Sequence, residues 1–309
     1  MRIDILMATY NGAKYIRQQI LSIIAQTHSD WRLFVHDDGS TDETVLIIKS
    51  FASREHRIFY CDDGITKLGP GYNFMHLLQY VESPFVCFCD QDDVWFDCKL
   101  EILLATIASK DNTKPQVVYS NAYDWYPLRG NLIGRTSTPF YCYKAKDAFF
   151  INGGIQGCAS IFNMEMRNLI HRKHSYIAMH DQVLMFAGII SNGIEYIKEP
   201  LFLYRQHELN FTPHQAQNLI ERIKLTIRNY RIPVVDPKYY QGISSLLQTY
   251  ATIMNRNDKK LFEVYLALPK LGVFHRFYLI LKYRYSFNKS TVLLLLKMMI
   301  RRYIGAFTL

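Results

Sequence analysis

The chain has 309 residues, 49% of them apolar and 14% aromatic, with 36 basic side chains against 27 acidic ones. That length supports one large domain or two ordinary ones, and the apolar fraction excludes a disordered polymer. The charge is uneven: residues 211–309 carry 16 Lys and Arg but 4 Asp and Glu, net +12, which leaves −3 for residues 1–210.

Six cysteines lack zinc-site spacing and read as reduced, buried thiols. Met1 leads straight into an apolar run with no charged and apolar leader, so no secretory signal is expected. No stretch of eighteen residues is apolar and uncharged, so no bilayer-spanning helix is expected either.

In chain order, Ile3 to Ala8 reads as a strand, and Ile16, Ile20, Ile23 and Ile24 place a helix over 13–25. A second strand, 31–35, ends in His36-Asp37-Asp38-Gly39-Ser40-Thr41-Asp42. That is turn chemistry before a helix at 43–52, with Ser40 or Thr41 as its N-cap. A third strand at 57–61 leads through a Gly-rich loop to a helix at 72–80. The fourth, Phe85 to Cys89, is apolar throughout and reads as a buried parallel strand. It stops at Asp90-Gln91-Asp92-Asp93, followed by a helix over 96–108 that Asp92 or Asp93 could cap. This alternation predicts a parallel sheet with right-handed crossovers.

Beyond residue 108 the pattern is mixed. Strands are expected at 116–120, 195–197 and 201–204, the last two separated by Pro200, and helices at 164–171 and 181–190. Gly153, Gly154 and Gly157 mark places where the backbone must approach something closely. From Gln215 the chain reads as basic helix, with Leu219, Ile223 and Ile227 on one face. Residues 290–303 combine Leu293 to Leu296, Met298, Met299 and Ile300 with Lys297, Arg301 and Arg302. Such a helix can lie on an anionic membrane surface or pack in a homodimer or on the rest of the chain. The division expected is residues 1–210 as one domain and 211–309 as a helical, basic region.

Three polar sites lie at strand ends: Thr9-Tyr10-Asn11, Asp37-Asp38 and Asp90-Gln91-Asp92-Asp93. Open α/β sheets bind ligands at the carboxyl ends of their strands. Adjacent hard oxygen ligands suit Mg²⁺ or Mn²⁺ holding a diphosphate. There is no Gly-x-Gly-x-x-Gly and no Walker loop, which disfavours dinucleotide oxidation and ATP hydrolysis.

Taken together and in this order, Thr9-Tyr10-Asn11-Gly12, Asp37 to Asp42 and Asp90-Gln91-Asp92-Asp93-Val94-Trp95 resemble the signature series of family 2 inverting glycosyltransferases of the GT-A fold. The resemblance spans about residues 1–210. With Gly69-Pro70-Gly71-Tyr72-Asn73-Phe74, the series looks most like rhamnosyltransferase-type members that build bacterial surface polysaccharides. It implies an α/β fold with a mostly parallel central sheet flanked by helices. Thr9, Tyr10 and Asn11 would line the nucleotide pocket, Asp38 would bond the base, Asp90 the ribose, and Asp92 would ligate the divalent metal, with His207 a further ligand. Asp181 would be the general base. Asn73, Asp93, Trp95, Gly157, Cys158, His180 and Arg205 would lie at the donor and acceptor.

The resemblance also implies a nucleotide-diphospho-sugar donor, dTDP-rhamnose or a UDP-hexose, a glycan or lipid-linked glycan acceptor, and a cytoplasmic position on the inner face of the membrane. The Gln-x-x-Arg-Trp element of processive synthases is missing, which points to transfer of single sugars. A nucleotidyltransferase would share the nucleotide and acid pair but want a basic phosphate loop near the first strand. A nucleic-acid-binding protein would use the basic tail, whose aliphatic content favours lipid over bases.

Overall fold

The apolar run Phe85–Cys89 is buried at every position and pairs in parallel with the opening strand, Ile3 opposite Phe85 and Met7 opposite Cys89. The computed structural model describes residues 1–127, 131–136, 143–151, 154–206, 227 and 230–304. Gly153, His207, Asn210 and the helix expected from Gln215, apart from Ile227, lie outside the described residues.

Strands β1 (Ile3–Thr9), β2 (Trp31–Asp37), β3 (Ile58–Tyr60) and β4 (Phe85–Cys89) run parallel in the order β3-β2-β1-β4. Between them lie α1 (Ile16–Ile24), α2 (Thr44–Ala52) and α3 (Gly69–Leu77). The apolar spacing that predicts α1 is the spacing it buries: Ile16, Ile20 and Ile23. Helix α3 begins earlier than expected because Pro70 sits in its first turn, where a missing N–H costs nothing.

The sheet continues through β8 (Ser160–Asn163), β6 (Val117–Tyr126), β9 (Ile194–Arg205) and β5 (Val94–Trp95), with β7 (Asn131–Thr136) on β6. Pairs β4·β8, β6·β8, β6·β7 and β5·β9 are antiparallel, so this half is mixed rather than parallel. The two strands expected around Pro200 are one: β9 runs through it, and its register against β6 shifts where Pro200 faces Asn121. A proline has no N–H to give the ladder, and the irregularity absorbs that loss.

Helix α4 (Lys99–Ala108) packs on β6 and β8, and α6 (Met164–Ile170) starts at Asn163, whose side chain accepts from the Met166 N–H. Phe88 is the pivot of this core, 5.2 Å from Phe74 and 4.9 Å from Phe162 between ring centroids. Burying each such ring contributes about 1.5–3 kcal/mol.

Two compact units divide the chain, and the division is not linear in sequence. One comprises Met1–Pro139, Ile155–Arg172 and Gly193–Asn210; the other comprises Phe140–Gly154, Lys173–Asn192 and Phe211–Leu309. The first holds the sheet. The second holds α5 (Ala145–Ala148), α7 (His180–Ile190), α8 (Pro237–Tyr250), α9 (Arg256–Ala267), α10 (Val273–Tyr283) and α11 (Thr291–Ile300). Its core is aromatic, with Phe149 4.9 Å from Phe262 and 4.7 Å from Tyr265. Helix α11 buries Leu293 and Leu294, and also Lys297, which reads from sequence as a wet residue. The Lys297 ammonium lies 3.4 Å from the centroid of the Phe287 ring, and burial pulls its pKa down to about 7.

Candidate functional site

Each of the three strand-end motifs is fastened to another. The Thr9 hydroxyl donates to Asp37 (2.8 Å), which also accepts from the Gly39 N–H and from the Ser40 N–H and hydroxyl. The Asn11 N–H donates to the Ser40 hydroxyl (2.7 Å), while the Asn11 side-chain oxygen accepts from the Thr41 N–H (2.8 Å). Asn11 adopts φ +47°, a left-handed conformation Asn tolerates. Ser40 is therefore a loop tie rather than the expected N-cap; α2 has no side-chain cap bond.

Gln91 connects the first motif to the third: its amide accepts from the Tyr10 N–H and donates to the Tyr10 carbonyl, both at 3.0 Å. Tyr10 itself is exposed, and Thr9 and Asp38 are buried. Both Asp38 oxygens accept backbone N–H bonds, from Leu68 (2.6 Å) and Gly69 (2.8 Å), which fixes the loop before α3. A carboxylate has further lone pairs, so it can still accept from a base.

After β4 the chain turns Asp93 fully inward. The donor atoms of Asp90, Asp93 and Cys158 lie within 4.8 Å of one another. One Asp93 oxygen accepts the Arg205 N–H at 3.3 Å, and the other is buried with no hydrogen-bond partner among the described residues. Burial and the neighbouring Asp92 charge push Asp90 up to about 6 and Asp93 well above the usual carboxylate range.

The Lys99 ammonium is buried nearby. It donates to the Cys158 carbonyl and lies 3.8 Å from the centroid of Trp95 and 4.1 Å from that of Phe202. Such a cluster, with an orphaned carboxylate oxygen and acids that resist ionising together, has the electrostatics of a divalent-cation site. The neighbouring carboxylates fit Mg²⁺ or Mn²⁺, and Cys158 adds a softer donor. Neither Asp92 nor Asp93 caps α4, which starts at Lys99 with no side-chain cap.

Several residues expected at the donor or acceptor are buried by their neighbours. Asn73 Oδ1 accepts from His36 Nδ1 at 2.7 Å, Trp95 lies under Lys99, and Gly157 and Cys158 form a buried 3₁₀ turn. Arg205 is 5% exposed: Nε donates to the Asp92 carbonyl (2.6 Å) and Nη2 to Gln18 (2.6 Å), with the guanidinium 4.2 Å from the Trp125 centroid. It thereby holds the backbone that presents Asp92.

In the second unit, Asp181 occupies the first turn of α7, where the helix dipole favours a carboxylate. It is not the cap; Met179 holds that position without a side-chain bond. A Cβ on Gly154 would sit 2.3 Å from the Asp181 carbonyl carbon, so the close approach expected of this glycine is to the start of α7. His180 is buried, which pulls its pKa down to about 3 and keeps the ring neutral. The sequence places Asp37 and Gln91 in the strand-end motifs without showing their roles, and gives no sign of Lys99's. Their polar chemistry was visible, but their partners lie 28, 81 and 59 residues away.

The model of the family described as "Glycosyl transferase family 2" matches residues 4–172, and the chain belongs to that family. The dTDP-rhamnosyl transferase RfbG of Shigella flexneri is 30% identical over 217 residues, 66% of this chain and 72% of its own length. Among solved structures, Staphylococcus aureus TarS 1–349 in complex with UDP-GlcNAc superposes with a TM-score of 0.56 at 15% identity, over 86% of this chain and 71% of that one. The mannosyltransferase PcManGT of Pyrobaculum calidifontis, in complex with GDP-Man and Mn²⁺, does so with 0.50 at 15% identity, over 96% and 86%. At that identity the likeness is one of fold, and it is the GT-A glycosyltransferase fold. The protein is a glycosyltransferase of nucleotide sugars.

Proposed function

We propose that the protein is a metal-dependent, inverting glycosyltransferase that moves one L-rhamnose from dTDP-rhamnose to a hydroxyl of a glycan or lipid-linked glycan. The observation that carries this reading is the tying of three strand-end motifs around an acid cluster with an orphaned buried oxygen. The likeness to RfbG supports rhamnose over a UDP-hexose as the sugar.

Asp90, Asp92 and Asp93, with Cys158 beside them, would hold a divalent cation, and such a cation would supply positive charge for the departing diphosphate. Asp38 accepts from the base, and Thr9 to Asn11, held rigid by Asp37, Ser40 and Gln91, wall the nucleotide. Asp181 takes the proton from the acceptor hydroxyl, and attack on the anomeric carbon from the side opposite the diphosphate inverts its configuration. Arg205 keeps the Asp92 backbone in place.

Residues 211–309 supply contact with an anionic membrane surface, which suits a lipid-linked acceptor on its inner face. In the second unit, Phe274, Tyr278 and Leu281 of α10 and Val292 and Met299 of α11 are exposed, in a region with a strong basic surplus. Among the described residues no helix is long and apolar enough to cross a membrane.

Transfer assays with dTDP-rhamnose, UDP-glucose, UDP-galactose, UDP-N-acetylglucosamine and GDP-mannose test the reading. Mn²⁺-dependent turnover of dTDP-rhamnose, lost in Asp92→Ala, is expected. Turnover of another donor would reassign the sugar, and turnover that persists in EDTA would remove the metal.

A further inference from the structure

A second group of ligating side chains lies at the end of β2, built from residues the transferase chemistry does not use. His36 is the penultimate residue of β2 and only 1% exposed. Asp63 comes from the loop after β3, and His76 from α3. His36 Nε2 lies 3.2 Å from one Asp63 oxygen and His76 Nε2 2.6 Å from the other, with the two rings 4.8 Å apart between centroids.

The hydrogen bonds around His36 direct its Nε2 at Asp63. Asn73 uses its Nδ2 on the His36 carbonyl, which turns its Oδ1 toward His36 Nδ1 at 2.7 Å. Nδ1 then donates to Asn73, and Nε2 is the ring nitrogen that faces a carboxylate oxygen.

Asn73 stands where the outer-shell partner of a metal-bound histidine stands, fixing its tautomer and ring plane. The Tyr80 hydroxyl and the Ile65 N–H, each donating to Asp63 at 3.0 Å, orient the carboxylate in the same way.

We propose that His36, Asp63 and His76 bind a divalent cation of the zinc class. Two imidazoles and one carboxylate, their ligating atoms within 4.8 Å of one another, match that ion, whereas Mg²⁺ prefers oxygen alone. The bound ion would join β2, the 61–69 loop and α3. The same loop supplies the two N–H groups that Asp38 accepts, so the ion would hold the loop in the conformation Asp38 uses. This site does not depend on the donor or acceptor proposed above.

The test uses the full chain, stripped with EDTA and titrated with Zn²⁺ by calorimetry and with Co²⁺ by visible absorption, in wild type, Asp92→Ala, His76→Ala and His76→Gln. The glutamine variant can keep a hydrogen bond to Asp63 and guards against a folding defect, which circular dichroism reports. The expected result is a Zn²⁺ equivalent and a Co²⁺ ligand-field band that are present in wild type and persist in Asp92→Ala. Both His76 variants should bind at least tenfold more weakly and lose the band. Zn²⁺ binding and Co²⁺ spectra unchanged in a folded His76 variant, or no Zn²⁺ binding by wild type, would overturn the proposal.

Discussion

The side-chain amide of Gln91 pairs with the main chain of Tyr10 as a neighbouring strand would, accepting from its N–H and donating to its carbonyl at 3.0 Å each. This joins the loop after β1 to the loop after β4. Gly12 leaves space for it: a Cβ there would lie 2.1 Å from Gln91 Oε1.

Gln91→Leu should therefore cost about 1–3 kcal/mol and weaken nucleotide binding. Gly12→Ala should act by expelling the same amide, so the double variant should cost little more than Gln91→Leu alone. Denaturant midpoints of the four proteins give the coupling energy. Strictly additive losses would mean the two positions act independently.

A buried cation underlies the acid cluster. Lys99→Met keeps the chain length but removes the charge that faces Asp90 and Asp93 and the donor to the Cys158 carbonyl. Breaking such an arrangement costs about 3–5 kcal/mol, and urea unfolding should show the loss. Because the acids then lack a buried counter-charge, added Mn²⁺ should restore part of the midpoint.

The start of α7 is set by a glycine. Gly154→Ala forces the Asp181 backbone to move, and overpacking of this kind costs about 1–3 kcal/mol. If Asp181 is the base, kcat should fall more than KM rises, since the acceptor proton loses its receiver while donor binding lies elsewhere. A pure KM effect would argue against that role.

Acid should loosen the second unit through His180. Its pKa falls from 6.5 unfolded to about 3 folded, so between those values the unfolded chain binds a proton that the folded one does not. Stability contributed by the neutral ring is present above pH 6.5 and declines as pH falls, by about 1.4 kcal/mol per unit. The difference between wild type and His180→Phe, measured as denaturant midpoints across that range, should shrink steadily with acidification. A constant difference would show that His180 does not titrate in this way.

The first four strands, their helices and the strand-end motifs were legible because each is local: an apolar run, a turn signal, a helical period. What followed was not. β8 is four residues long and antiparallel, and nothing near Ser160 announces that its partners are Val86 and Val118. Pro200 reads as a strand breaker, yet β9 passes through it because β6 yields at Asn121.

Within the site, the acids could be read but not their burial. Asp93 turns into the core to meet Cys158 and the Arg205 N–H, and Lys99, which falls inside the helix expected over 96–108, is enclosed by Trp95 and Phe202. Long-range pairing decides these positions, and no local pattern encodes it. The same holds for the interleaving of the two units and for Lys297.

Equilibrium binding of dTDP, with and without Mn²⁺, to wild type and Asp90→Asn is the most direct measurement of whether the strand ends of the first unit hold a nucleotide diphosphate through a cation. Binding strengthened at least tenfold by Mn²⁺ in wild type, with that gain lost in Asp90→Asn, is the predicted result. Equal affinity with and without Mn²⁺, or a gain undiminished in the variant, would contradict a cation held by this cluster.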